Sequence, residues 1–66
     1  MNELEEIFKI NESGDAIIEL WSTQIYLKIT GEKGFYKTYS DNKIDDIKKA
    51  IKYINDELLI KEIKNT

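Results

Sequence analysis

Glu19, Tyr26 and Lys28 are the residues of this chain best spaced for acid–base chemistry. If residues 15–22 and 24–31 form an antiparallel hairpin turning at Ser22-Thr23, Glu19 falls opposite Tyr26 with Lys28 on the diagonal, a disposition compatible with a proton relay. The same three types also make ordinary cross-strand pairs on an exposed sheet, which is the simpler reading. Most other tools of catalysis are missing. The 66 residues include no histidine, cysteine, arginine or proline, which removes the usual proton shuttle, the soft-metal ligands, the thiol nucleophile and the bidentate phosphate fork. Asp41, Asp45 and Asp46 cluster, but without the alternation and distal glutamate of a calcium loop, and acids at a helix start suit its dipole. Gly31-Glu32-Lys33-Gly34 joins two strand-like runs rather than a strand and a helix, so it reads as a turn and not a phosphate loop. No catalytic residue, metal site or cofactor is assigned, and a non-enzymatic role is expected.

These residues must be positioned by a small fold. A chain of 66 residues forms one domain that buries only about 60% of its unfolded surface. Without a disulfide, its stability must come from clean patterning or from a second copy of itself, so a homodimer is expected. Charged residues make up 35% and hydrophobic ones 41%, with four tyrosines, two phenylalanines and one tryptophan, a composition that folds rather than remaining disordered. The acidic start Met1-Asn2-Glu3-Leu4-Glu5-Glu6 is unlike a secretory signal, and no stretch has membrane-spanning length, so a cytoplasmic protein without a membrane partner is expected. Lysine as the only cation, abundant isoleucine and the absence of valine point to an AT-rich genome, such as that of a low-GC bacterium or its phages.

Alternating apolar residues and two glycine-closed loops, Asn11-Glu12-Ser13-Gly14 and Gly31-Glu32-Lys33-Gly34, predict a four-stranded antiparallel meander over about 4–11, 15–22, 24–31 and 34–40. A two-residue turn at Ser22-Thr23 sets Leu20 opposite Ile25, Ile18 opposite Leu27 and Ala16 opposite Ile29, placing six apolar residues on one face. In the same scheme Phe8 and Ile10 join that face from the first strand, and Ile7 does not. A three-residue loop with Gly34 in the left-handed conformation puts Phe35, Lys37 and Tyr39 on the core face and Tyr36 on the other, and is favoured because two aromatics fill the core; a two- or four-residue loop would put Tyr36 and Thr38 there instead.

After Ser40 the apolar period changes to that of a helix, with Ile44, Ile47, Ile51, Ile54 and Leu58 in one stripe over about 41–63. Ser40 or Asp41 is expected to cap it, and its length should carry it past the sheet. Tyr53, Leu59, Ile60 and Ile63 form a second apolar surface, which reads as the dimer interface; alternatively the chain turns near Asn55-Asp56 and residues 58–64 form a fifth strand. The fold class is therefore α+β, four strands and one C-terminal helix packed on one face.

One helix covers one face, so Trp21, Tyr26, Tyr36, Lys28 and Glu19 are left on an open aromatic face that reads as a partner-binding surface. The first six acids, Glu3, Glu5, Glu6, Glu12, Asp15 and Glu19, would steer the molecule to a basic protein surface. In size and charge it is similar to small phage-encoded inhibitors of nucleic-acid-handling enzymes. In its order of elements it resembles the positive-cofactor-four and Whirly group. That resemblance implies a homodimer binding single-stranded nucleic acid, with bases stacked on Trp21, Tyr26 and Tyr36 and Lys28, Lys33 and Lys37 near the backbone. The last three strands and helix also resemble the arm-binding domains of tyrosine recombinases.

Overall fold

A computed structural model describes residues 2–64 and shows two layers. The elements are α1 (Glu3–Ser13), β1 (Ala16–Leu20), β2 (Gln24–Ile29), β3 (Phe35–Thr38) and α2 (Lys43–Lys64). The three strands form one antiparallel sheet in the order β1-β2-β3. Both helices contribute to a single core on one side of it, made of Ile7 and Ile10 from α1, the alternate residues Ala16, Ile18, Ile25, Leu27 and Ile29 of the strands, and Ala50, Ile51 and Ile54 of α2.

The expected first strand is a helix. Asn2 caps it by accepting a hydrogen bond from the Glu5 amide through its side chain, at 2.9 Å, and Glu3, Glu5 and Glu6 place negative charge in the first turn. Gly14, expected in a hairpin loop, is instead the left-handed residue that ends α1, at φ 78°. Helix C-termini and three-residue hairpin loops both call for a left-handed glycine, so this residue does not distinguish them. The helical period keeps Ile10 in the core as expected, brings in Ile7 and leaves Phe8 55% exposed, so Ile7 and Phe8 exchange the sides expected of a strand.

The β1–β2 hairpin has the expected register, with Leu20 opposite Ile25, Ile18 opposite Leu27 and Ala16 opposite Ile29. It closes at Ser22-Thr23 with the Trp21 amide donating to the Gln24 carbonyl, at 2.9 Å. The β2–β3 loop is longer than expected, running over residues 30–34. Its left-handed residue is Gly31, at φ 87°, and not Gly34. A loop of odd length preserves the parity of the strand that follows, so Phe35 pairs with Leu27 on the helix side and Tyr36 with Tyr26 on the open side.

The expected C-terminal helix is present and continuous through residues 58–64, so no fifth strand forms. Its cap is Asn42, whose side chain accepts from the Asp45 amide at 3.1 Å, rather than Ser40 or Asp41. Ser40 is held by Asp46, which accepts from both its amide and its hydroxyl. Ile47 and Leu58 pack against the core while Ile44 stays exposed, because α2 meets the sheet after its first turn. At about 33 Å for 22 residues, α2 outruns strands of six residues or fewer, and Lys61 ties its far end to the Thr30 carbonyl at 2.8 Å. Among the described residues no helix is long and apolar enough to cross a membrane.

Candidate aromatic docking face

The side of the sheet opposite the helices carries the residues between the core positions: Ile17 and Glu19 of β1, Tyr26 and Lys28 of β2, Tyr36 and Thr38 of β3. Trp21 continues this face at the hairpin turn. Tyr26 and Tyr36 are directly cross-strand, with ring centroids 4.9 Å apart and planes inclined by 50°. Trp21 meets Tyr36 edge to face at 5.8 Å. Three rings from three segments thus make one contiguous surface, with Trp21 50% and Tyr36 52% exposed and Tyr26 half-buried between them. An edge-to-face pair such as Trp21 with Tyr36 favours a defined ring orientation, at about 0.5–1.5 kcal/mol beyond the area it buries.

Two residues fix the geometry. Glu19 accepts a hydrogen bond from the Trp21 indole nitrogen at 3.0 Å, which turns the indole along β1. Gly34 gives room to Tyr26, whose phenol lies where a Cβ at Gly34 would be. Glycine is required there for close approach, since its backbone has no left-handed φ. Neither role is visible in the spacing of the sequence, although a glycine just before a strand hints at a close contact.

The proton-relay arrangement does not form. Glu19 does lie opposite Tyr26, but its carboxylate engages Trp21, and among the described residues no side-chain hydrogen bond joins Glu19, Tyr26 and Lys28. Lys28 stands on the open face opposite Ile17. The face therefore carries one acid and one base on a largely aromatic surface.

The remaining expected site residues lie elsewhere. Lys37 is on the helix side of β3, opposite Ile25, and so does not flank the aromatic surface as a nucleic-acid backbone would require, while Lys33 is in the β2–β3 loop. Glu3, Glu5, Glu6 and Glu12 are on α1, with Glu3 paired to Lys48 of α2 at 3.7 Å. Tyr53 turns toward the sheet and meets Phe35 edge to face at 5.9 Å. Leu59, Ile60 and Ile63 remain together on the last turns of α2, all substantially exposed.

At the start of α2 the acids are engaged locally. Asp46 is held below the usual aspartate range, first by the Ser40 backbone amide, then by the Ser40 hydroxyl and by the nearby Lys49 and Lys37 ammonium groups. Its carboxylate thereby ties the segment after β3 to the first turns of α2.

The fold and this face define a small α+β protein with a three-stranded antiparallel sheet, helices on one side and an uncovered aromatic surface on the other. No protein-family model, curated protein or solved structure matches the chain.

Proposed function

We propose that the protein is a non-enzymatic binding module that docks on another protein through its helix-free sheet face, with Trp21 and Tyr36 as anchors and Tyr26 as the ring between them. The observation that carries this reading is the contact of three rings from different segments on the uncovered face, oriented by Glu19 and given room by Gly34. Tryptophan and tyrosine dominate the energetics of protein interfaces because they offer large area with few rotatable bonds. The face has balanced charge, Glu19 against Lys28, and Lys37 lies on the other side of the sheet. That arrangement favours a protein over single-stranded nucleic acid, which calls for a cationic track beside the stacking rings. An inhibitor acting by occlusion is the form of activity consistent with such a molecule. A second copy completes it through Leu59, Ile60 and Ile63, which extend past the sheet on a chain whose core is small.

The test is retention of proteins from a nuclease-treated lysate of the source cells. Wild-type protein should retain a partner that Trp21→Ala loses, while circular dichroism shows the variant folded. Gly34→Ala, which displaces the Tyr26 ring without deleting an aromatic, should weaken the same complex. Equal retention by wild type and both variants would place the interface elsewhere, and retention from a parallel untreated lysate but not from the treated one would favour nucleic acid.

A further inference from the structure

The two edges of the sheet are finished differently. On β1 the carboxamide of Asn11 takes both outward peptide groups of Ile18: the Ile18 amide donates to Asn11 Oδ1 at 2.8 Å and Asn11 Nδ2 donates to the Ile18 carbonyl at 3.1 Å. Helix α1 thus blocks the middle of that edge, a common protection against strand addition. Among the described residues no such clasp covers β3, whose four residues are all exposed.

The phase of the ladder says which groups β3 leaves open. Because the Trp21 amide bonds the Gln24 carbonyl, even-numbered residues of β2 face β1 and odd-numbered ones face β3. Ile25 with Lys37 and Leu27 with Phe35 are then the hydrogen-bonded pairs, and the Tyr39 amide on the Thr23 carbonyl continues the phase. The N–H and C=O groups of Tyr36 and Thr38 therefore point away from the sheet. The next outward amide, that of Ser40, is already taken by Asp46, which marks one end of the open stretch.

Beside this edge, on the helix side, lies a groove of about 130 Å³ in which Leu27, Phe35 and Tyr53 are joined by Lys37, Lys49 and Asp46. Two ammonium groups face one carboxylate there, and that carboxylate already accepts from Ser40. The groove is apolar with a net positive charge.

We propose that the outer edge of β3 accepts an extended segment of the partner protein as a fourth strand, and that this segment alternates apolar with acidic residues on its helix-side positions. This rests on the protein-binding reading and specifies the form the partner takes. Backbone groups of Tyr36 and Thr38 supply the register, and alternate side chains of the added strand fall on the two faces. One set lies beside Tyr36 and extends the aromatic surface. The other lies over the groove, where an apolar side chain meets Phe35 and Tyr53 and a carboxylate meets Lys37 and Lys49. A second copy of β3 fits less well, since pairing it with itself brings two Lys37 ammonium groups to one side of the seam and sets two grooves of the same net positive charge beside each other.

The experiment is selection of random peptides displayed against the purified protein, followed by synthesis of the strongest binder and of versions N-methylated at single amides. Methylation at alternate positions should weaken binding by about tenfold, the loss of backbone hydrogen bonding, while methylation between them leaves it intact. The bound wild-type protein should show slowed exchange of the Tyr36 and Thr38 amides. Lys37→Glu should weaken the peptide and Lys52→Glu should not. A selection that yields no binder, or a binder indifferent to amide methylation that leaves both amides unprotected, would overturn strand addition. If such a binder is nonetheless lost with Trp21→Ala, docking on the aromatic face stands while the edge proposal fails.

Discussion

Single side chains here act mainly by positioning others. Glu19 is spent on the Trp21 indole, Gly34 on the Tyr26 ring, and Asp46 on Ser40. The last gives a pH dependence with a definite sign. A carboxylate whose folded value is lowered stabilises the folded state above its unfolded value of about 3.9 and loses that contribution as pH falls through the lowered folded value. Asp46 is such a group, held down first by the Ser40 amide. The Ser40 amide resonance, followed by NMR, should therefore shift with a midpoint below about 3.9, whereas a midpoint at or above the ordinary aspartate value would contradict the contact.

At the scale of elements, the sequence was legible where one period dominated and one partner was close in the chain. The β1–β2 register followed from six apolar residues and a two-residue turn, and α2 from its stripe and charged ends. The first segment was misread because Phe8, Ile10 and Gly14 suit a strand and hairpin loop as well as a helix and its end. The discriminating signal was the cap: Asn2 with Glu5 repeats the device of Asn42 with Asp45, a polar cap followed three residues later by an acid. Asn11 could not be found that way, since its role depends on where α1 packs against β1. Asn11→Ala should cost about 1–3 kcal/mol, two hydrogen bonds at roughly 0.5–1.5 kcal/mol each, measured by urea unfolding. It should also open the β1 edge, so that the Ile18 amide exchanges faster. Unchanged exchange at Ile18 would show that the clasp does not protect it.

For the whole molecule, replacing the expected fourth strand by a helix leaves the open face in place, because α1 packs on the same side as α2. Glu19, Trp21, Tyr26 and Lys28 were thus readable from the alternation of β1 and β2, Tyr36 needed the odd length of the β2–β3 loop as well, and the asymmetry of the two edges was not readable. The proposed second copy makes its own demand. Light scattering of the wild type should give twice the 7.8 kDa chain mass, and Ile60→Glu combined with Ile63→Glu should give a folded monomer. A wild-type monomer, or a double variant that stays dimeric, would remove the end of α2 from the assembly.

Whether the aromatic face is the docking surface is tested most directly by photocrosslinking in the source cells, with a benzophenone side chain in place of Tyr36 and, as control, in place of Lys52 on the exposed side of α2. The expected result is a covalent adduct with another protein from position 36 and none from position 52. Adducts from position 52 alone, or nucleic acid as the species captured at position 36, would contradict protein docking through this face.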